Sequence, residues 1–396
     1  MSSPSILISG ASIAGPALAF WLTRAGWEVT VVERFDQLRD EGQNIDVRGV
    51  GREVLRRMGL EQAVLAAHTR ETGMDFVDEQ GQLVVSYAAG TDDSSGGTAE
   101  VEILRGQLGR ILYDISSPGA GYVFGDQIAT LHDDGHGVDV EFHSGPARRF
   151  DAVVIAEGLR SRTRSLILED APVHELGLYL AYLTIPRIDT DDTRWRWLIS
   201  DRGRAAWLRP DNVGTTRASL SMYSPVRGLD RLDRADLAVV LRETFADVGW
   251  ETPRILAALE DAPLYFEALG QARLPRWSSG RVALLGDAAY CASPISGLGT
   301  TLALTGAYVL AGELLGHADP RAAFARYEEV MRPFAERAQQ LAPGRPGRLY
   351  PDTKEQRAQL WAELRGQTLP QEGQAAAWST PPADALTLPD YPLKPR

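Results

Sequence analysis

Apolar and polar positions at the start of the chain follow the periods of a strand, a helix and a second strand. Residues 5–9 form a short apolar run, and residues 14–25 form an alanine-rich apolar segment of helix length. A β-branched run over 28–33 then ends at Glu33. This order predicts a βαβ unit.

The same patterns further along predict an α/β domain that is interrupted by antiparallel strands. Buried strands are expected at 151–156 and 281–285, and a hairpin at 73–87 around Gln80-Gly81. Aromatic and β-branched residues cluster in strand-length pieces between 176 and 223, which indicates an inserted antiparallel sheet. Helices are expected at 50–59, 60–68, 105–116, 236–248, 253–261, 299–317 and 353–364. The stretch 90–97, rich in Gly, Ser and Asp, is expected to be a loop, and the proline-rich end of the chain to be irregular.

Composition narrows the classes of protein that fit this pattern. The 396 residues carry a net charge of −12, which opposes binding to nucleic acid or to an anionic membrane surface. Cys291 is the single cysteine, so no intrachain disulfide forms and a reducing compartment is expected. No basic region precedes the first apolar run, and no stretch has membrane-spanning length. We therefore expect a cytoplasmic protein, a monomer or a homodimer.

A glycine-rich turn lies between the first strand and the first helix. Residues 10–15 read G-A-S-I-A-G, which fits G-x-G-x-x-G except that Ser12 replaces the middle glycine. Glu33 closes the next strand, where a carboxylate accepts hydrogen bonds from ribose hydroxyls. The helix that begins near Ile13 offers free N–H groups to phosphates. The motif predicts a bound dinucleotide but does not separate NAD from FAD, and the glycines alone could serve only tight packing.

Two later segments extend this pattern. Residues 151–158 are followed by Arg160 and Arg162, and residues 281–287 are followed by Pro294 and a glycine-rich turn. With these motifs the chain resembles, over residues 5–338, the group A flavoprotein monooxygenases, which include para-hydroxybenzoate hydroxylase, aromatic polyketide hydroxylases and tetracycline-inactivating monooxygenases.

The resemblance implies a discontinuous Rossmann-like FAD-binding domain, an inserted antiparallel β-sheet that binds substrate, and a C-terminal helix. The expected FAD-binding domain comprises residues 1–72, 97–172 and 273–342. The expected substrate domain comprises 73–96 and 173–272, and a helix with an irregular tail occupies 343–396.

The resemblance also assigns residues to the flavin. Asp287 is expected to bond a ribityl hydroxyl, Arg105 to lie near the ribityl and phosphate groups, and Arg48 to lie at the isoalloxazine edge. The turn at 294–300 is expected to present backbone N–H groups to the pyrimidine end of the flavin, and the backbone of Ile128 to meet the adenine. The predicted cofactor-binding residues are Gly10, Ser12, Ile13, Ala14, Gly15, Glu33, Arg34, Arg48, Arg105, Ile128, Asp287, Pro294, Gly297, Leu298, Gly299 and Thr300.

Two positions depart from the family pattern. Glu157, within Ala156-Glu157-Gly158, stands where the family has an aspartate, so charge is kept but reach is longer. This departure leaves open how the nicotinamide is contacted. Tyr290 stands where a histidine is frequent, so no imidazole is assumed there.

The resemblance implies an enzyme in which NADPH or NADH reduces FAD, O2 adds to the reduced flavin, and the C4a-hydroperoxide hydroxylates an aromatic or polyketide-type small molecule. Its pocket must exclude water, and candidate substrate residues are Tyr179, Tyr182, Trp207, Tyr223 and Pro294, with Trp195, Trp197 and Met222 as further apolar material. Each aromatic residue could equally be ordinary sheet packing. No catalytic residue and no metal ligand is assigned.

Two alternatives remain open. One is a flavin oxidase, reductase or Baeyer-Villiger enzyme on the same fold. The other is a flavin-binding protein without turnover.

Overall fold

The computed structural model describes residues 3–39, 42–88, 101–341, 349–366, 383 and 385–392. The predicted loop at 90–97 lies outside these residues. The strands are β1 (Ser5–Ser9), β2 (Glu28–Glu33), β3 (Asn44–Asp46), β4 (Gly73–Val77), β5 (Leu83–Ala88), β6 (Glu102–Leu104), β7 (Ala120–Phe124), β8 (Ile128–Asp133), β9 (Val138–Phe142), β10 (Arg148–Phe150), β11 (Ala152–Ile155), β12 (Val173–Pro186), β13 (Trp195–Ile199), β14 (Arg204–Pro210), β15 (Thr215–Tyr223), β16 (Leu264–Ala272), β17 (Ser278–Ser279) and β18 (Val282–Leu284). The α-helices are α1 (Ala14–Arg24), α2 (Val50–Met58), α3 (Glu61–Ala66), α4 (Arg105–Ser116), α5 (Arg234–Phe245), α6 (Thr252–Ala257), α7 (Asp287–Tyr290), α8 (Gly299–Gly316), α9 (Pro320–Gln339) and α10 (Lys354–Gly366).

A six-stranded sheet in the order β17-β18-β11-β1-β2-β7 forms the centre of the α/β part. All neighbours pair in parallel except β17 with β18. The central strands are apolar on both faces because helices cover them together with a three-stranded sheet in the order β10-β9-β8, as parallel sheets require. The carboxyl ends of β1, β2 and β11 therefore meet at one edge, where Ser9 lies beside both Val32 and Ile155.

Helix α1 packs against α4 and α8 beside this sheet, and α9 packs against α8. Helix α8 is apolar around most of its circumference and is buried along nearly its whole length. None of the described helices is both long enough and apolar enough to cross a membrane.

A seven-stranded sheet in the order β16-β12-β15-β14-β13-β4-β5 forms the second part of the molecule. Its neighbours are antiparallel except β13 and β4, which pair in parallel. Because side chains alternate along each strand, the sheet has two distinct faces. One face packs on α5 and α6 and forms a core of its own. The other face carries Trp195, Trp197 and Trp207, and α10 covers part of it.

Candidate active site

A continuous cavity of about 480 Å³ lies between the carboxyl ends of the parallel strands and the tryptophan-bearing face of the seven-stranded sheet. One half is lined by the turn after β1, the end of β2 and the segment after β11. The other half is lined mainly by apolar and aromatic side chains. We call these the dinucleotide half and the apolar half.

Two glycines shape the turn after β1. Gly10 has a φ of +112°, and a Cβ added there would lie 2.4 Å from the Ala156 carbonyl oxygen. A Cβ added at Gly15 would lie 2.0 Å from the Gly10 carbonyl oxygen. Both positions therefore require glycine. Gly10 requires it for its positive φ and for close packing, and Gly15 requires it for close packing alone.

Glu33 holds this turn in place at the end of β2. Its carboxylate accepts hydrogen bonds from the Ala11 N–H at 2.8 Å and the Phe35 N–H at 3.2 Å. Because Glu33 also lines the cavity, it remains positioned for a ligand's hydroxyl groups. The predicted placement of an acid beside the glycine turn is thus seen in the structure.

Two helices direct their N-termini at the cavity without a side-chain cap. Neither Ile13 at the start of α1 nor Leu298 at the start of α8 makes a side-chain capping hydrogen bond, and neither helix has an acid in its first turn. The first N–H groups of a helix need partners, and the dipole favours an anion there. Ala14 of α1 and Thr300 of α8 line the cavity, so its dinucleotide half has the donors that a pyrophosphate requires.

Arg105 and Asp287 both line the same half of the cavity. A guanidinium nitrogen of Arg105 donates to the Ser12 hydroxyl at 3.0 Å, which joins α4 to the glycine turn. Asp287 is exposed to the cavity. Burial by the surrounding protein raises the pKa of its carboxyl, and the hydrogen bond from Cys291 and the positive charge of Arg105 offset part of that rise. This pair offers a donor and an acceptor to the same ligand.

The replacement of aspartate by Glu157 has a structural explanation. Its carboxylate accepts hydrogen bonds from the hydroxyls of Ser9 at 2.5 Å, Ser161 at 2.8 Å and Thr163 at 2.7 Å, and from the Thr163 N–H at 3.3 Å. The longer side chain therefore ties β1 to the segment after β11. Both oxygens of Glu157 already accept hydrogen bonds from the protein, so they are not free to accept one from a nicotinamide.

Arg48 is buried, and its guanidinium pairs with Asp46 at 2.8 Å on the cavity wall. Its backbone N–H donates to the Thr301 hydroxyl at 3.0 Å, which returns a bond to the Arg48 carbonyl at 3.1 Å. Arg48 thus fastens the segment after β3 to the first turn of α8.

Most predicted cofactor residues come together at this cavity. Those that line it are Gly10, Ser12, Ile13, Ala14, Glu33, Arg34, Arg48, Arg105, Asp287, Pro294, Gly297, Gly299 and Thr300. Gly15 and Leu298 do not line the cavity; they support the two turns from behind. Ile128 is buried at the start of β8, and its neighbour Gln127 reaches the wall instead.

The apolar half contains three of the predicted tryptophans. The rings of Trp195 and Trp197 stack with centroids 5.1 Å apart, and Trp207 lies 5.1 Å from Trp197. Tyr182 of β12 and Pro294 of the turn before α8 complete the predicted residues on this wall. The half is therefore suited to a flat, apolar ligand.

Three other predicted residues lie elsewhere. Tyr179 and Met222 are on the opposite face, packed toward α5 and α6, and the Tyr179 hydroxyl donates to the Val226 carbonyl at 2.8 Å. Tyr223 ends β15 and is 46% exposed. Strand alternation explains the first two, since Tyr179 is three residues from Tyr182 and Met222 lies opposite Tyr179 in the sheet.

One charge on the apolar wall is already paired. Arg209 bonds Glu71 through two nitrogens at 2.9 and 3.1 Å, forms a second ion pair with Glu102, and lies over the Trp195 ring at 4.2 Å. Burial opposes the charged form, but Glu102 and Glu71 together raise the pKa of Arg209. The guanidinium therefore remains a buried cation with its counter-ions beside it.

Several wall residues were not predicted. Met74, Leu178, Leu180, Leu269 and Ile295 line the apolar half, together with Leu349 and Tyr350 from the segment before α10. Alternation from Tyr182 would have indicated Leu178 and Leu180, whereas the others depend on strand and helix contacts that are distant in sequence. Ser293 also lies on the wall with a φ of 76°, a strained conformation that begins the turn containing Pro294.

Comparison with known proteins bears on the nature of this cavity. A family model described as an FAD binding domain matches residues 4–342. A flavin-dependent monooxygenase from Phoma sp. is 40% identical over 370 residues, which covers 84% of this chain and 85% of that protein. The chain belongs to the group A flavoprotein monooxygenases. A protein of Mycobacterium tuberculosis described as uncharacterized is also 40% identical, over 344 residues covering 85% of this chain and 92% of that protein.

This FAD-dependent monooxygenase also has a close structural relative. The crystal structure of the tetracycline destructase Tet(55) superimposes with a TM-score of 0.82 and 32% sequence identity, and the match covers 98% of this chain and 99% of that one. The predicted family, fold class and FAD cofactor are thereby confirmed. Among the described residues no group of three or more His, Cys, Asp or Glu side chains is arranged to hold a metal ion.

Proposed function

We propose that the enzyme hydroxylates an uncharged or phenolic aromatic small molecule, using FAD, O2 and electrons from NADPH or NADH. The observation that supports this most directly is the continuity of the cavity: the half with phosphate-binding donors opens into the half lined by indole rings. A flavin bound along the first half would present its ring system to a substrate in the second.

The residues present fit FAD. The uncapped starts of α1 and α8 suit the pyrophosphate and the pyrimidine end of the flavin, Glu33 the adenosine ribose, and Asp287 and Arg105 the ribityl chain and phosphate. Bound FAD would supply the redox chemistry, in which two electrons come from the nicotinamide and one oxygen atom of O2 goes to substrate. The protein's part is to orient both molecules and to exclude water.

The charges of the apolar half support a substrate without a strong anionic group. Its buried cation, Arg209, is already shared between Glu71 and Glu102, so a carboxylate or phosphate of the substrate would have to displace one of them. Flat indole surfaces favour an aromatic ring system. The name of the structural relative Tet(55) refers to tetracycline, a fused-ring aromatic polyketide, which agrees with this class.

The nicotinamide is proposed to act from the open side of the cavity. Arg34 and Arg162 are exposed on its wall, and neither forms an ion pair with another described residue. They offer positive charge to the phosphates of NADPH or NADH during a transient encounter. Because Glu157 is bonded within the protein, we do not assign it a nicotinamide contact.

The test is consumption of NAD(P)H and O2 by the FAD-loaded enzyme with a panel of phenols and fused-ring polyketides. Hydroxylation predicts that one or more aromatics accelerate the consumption of both NAD(P)H and O2, with little peroxide released. Equal consumption with and without aromatics, all of it appearing as peroxide, would favour the oxidase alternative. Purified protein that binds no flavin would contradict the assignment altogether.

A further inference from the structure

The last described residues of the chain lie on the α/β part of the molecule, although α10 before them lies on the seven-stranded sheet. Ala383 is fully buried, and Leu386, Leu388 and Tyr391 pack against the core of the α/β part. We call residues 383 and 385–391 the carboxy-terminal strap. The strap follows the pair of helices α2 and α8 and contacts them at both of its ends.

One end of the strap caps helix α2. The Ala383 carbonyl accepts a hydrogen bond from the Val50 N–H at 3.3 Å, and α2 has no side-chain capping hydrogen bond of its own. Gly49 has a φ of +44°, and a Cβ added there would lie 2.7 Å from the Ala383 carbonyl carbon. The start of α2 therefore has the shape and the free donor to receive the backbone of the strap.

The other end of the strap is held by α8 and by the last turn of α2. The Pro389 carbonyl accepts hydrogen bonds from the Tyr308 hydroxyl at 2.9 Å and from the Arg57 guanidinium at 3.2 Å. The Tyr391 hydroxyl donates to Glu313 Oε1 at 2.5 Å, and the centroids of the Tyr391 and Tyr308 rings are 5.4 Å apart. Each of these partners belongs to α2 or α8, so the strap joins the two helices.

The N-terminal ends of α2 and α8 meet at the cavity. The backbone of Arg48, just before α2, forms two hydrogen bonds with the Thr301 hydroxyl, at 3.0 and 3.1 Å. A Cβ added at Gly51 would lie 2.9 Å from the Thr301 Cα, so the backbones of the two helices are in close contact there. Arg48 and Thr300 line the cavity. A shift of α2 against α8 would therefore move the cavity wall.

We propose that docking of the strap fixes α2 against α8 and thereby sets the cavity wall for FAD, so that strap docking and FAD binding strengthen each other. Ala383, Pro389 and Tyr391 are positioning residues, because they contact the two helices and none of them lines the cavity. The inference concerns the cofactor and not the proposed hydroxylation, and it rests on the assignment of Arg48 and the start of α8 to the flavin. Linkage makes the effect reciprocal: FAD favours the docked strap by the factor by which the strap favours FAD.

Two variants undock the strap by different means. Tyr391→Ala removes the ring and its hydrogen bond to Glu313. Gly312→Ala places a methyl group 2.2 Å from the Tyr391 ring, which must move away. Alanine favours a helix over glycine, so a loss of FAD affinity in Gly312→Ala is not explained by a weaker α8. Gly316→Ala is the matched control, because it makes the same change in the same helix and its Cβ meets no atom within 4 Å.

The first measurement is the Kd for FAD, from flavin fluorescence titration of each apoprotein. Tyr391→Ala and Gly312→Ala are each expected to raise the Kd by about 10-fold, an ordinary size for coupling between two sites. Gly316→Ala should match the unmodified protein. A strap that only adds stability would lower the urea midpoint of the two variants and leave their Kd for FAD unchanged.

The second measurement uses the unmodified protein. Hydrogen exchange of the backbone amides in the strap is followed by mass spectrometry with and without FAD. Bound FAD should slow this exchange by a factor similar to the change in Kd, because local opening of the strap becomes rarer. The amides of α5 serve as the reference, since α5 packs on the face of the seven-stranded sheet that is turned away from the cavity.

Either measurement can overturn the coupling. An unchanged Kd in both variants, with faster exchange of their straps as proof of undocking, would do so. Equal exchange of the strap with and without FAD would do so without any variant. In both cases FAD binding and the proposed hydroxylation would stand. An apoprotein that takes up no FAD would overturn the cofactor assignment and the coupling together.

Discussion

Gly15→Ala tests how the fold creates the dinucleotide half of the cavity. The added methyl group would lie 2.0 Å from the Gly10 carbonyl oxygen, which is a backbone atom and cannot rotate away. The glycine turn must therefore move by about 1 Å to restore van der Waals contact, and overpacking of this kind costs about 1–3 kcal/mol of unfolding free energy. The movement also displaces the N–H groups at the start of α1 from a bound pyrophosphate.

The effect on FAD binding follows from those donors. Two misplaced hydrogen bonds to a charged phosphate, at about 1.5 kcal/mol each, weaken FAD binding by about 100-fold. Flavin fluorescence titration of the apoprotein gives the Kd, and urea denaturation gives the stability. Gly316→Ala is the control, because a Cβ at the end of α8 meets no atom within 4 Å. A Gly15→Ala protein with the stability and FAD affinity of Gly316→Ala would refute this reasoning.

Three other changes test separate parts of the structure. Asp287→Asn should weaken FAD binding by about 10- to 100-fold in the same titration, since it weakens the acceptor for a ribityl hydroxyl; an unchanged Kd would contradict that role. Burial works to raise the pKa of Asp191, but hydrogen bonds led by those from Arg254 outweigh it and lower the pKa to about 2. The contribution of Asp191 to the unfolding free energy is therefore present above the ordinary aspartate pKa and is lost as the pH falls toward 2. Asp191→Asn should lower the unfolding free energy by on the order of 1–2 kcal/mol at neutral pH. In urea denaturation at a series of pH values, the variant should lose less stability over that acid range than the unmodified protein. Trp207→Ala should open the apolar half to water and raise the share of O2 released as peroxide several-fold. Trp250 lies away from the cavity wall, so Trp250→Ala should leave that share unchanged. Equal peroxide yields from the two variants would contradict the water-excluding role of Trp207.

Local sequence was enough to predict the α/β part of the fold. The apolar run 5–9, the glycine turn and the β-branched run 28–33 are found as β1, the turn and β2, because each follows from residue type within a few positions. Helix α4 was predicted with the bounds that the structure has. Helix α9 was not predicted; it contains Pro333 within its length, a residue that usually indicates an interruption.

The sequence predicted the site residues that lie next to a strand end, but not those that elements distant in the chain bring together. Gly10, Glu33 and Asp287 lie at, or within three residues of, the carboxyl ends of parallel strands that must meet at one edge, so their convergence follows from parallel pairing. The substrate wall depends on which face of each strand points inward, and aromatic content alone does not give that. Tyr350 reaches the cavity wall and bonds Ser221 at 3.0 Å across 129 positions, a contact with no local signal in the sequence.

Oxygen-18 labelling tests the central claim most directly. The FAD-loaded enzyme is supplied with NAD(P)H, an aromatic that accelerates its consumption, and 18O2, and the product is examined by mass spectrometry. A monooxygenase predicts one 18O atom in each product molecule, with the second atom of O2 in water. Product that carries no label, or 18O recovered only as hydrogen peroxide, would contradict oxygen transfer to the substrate.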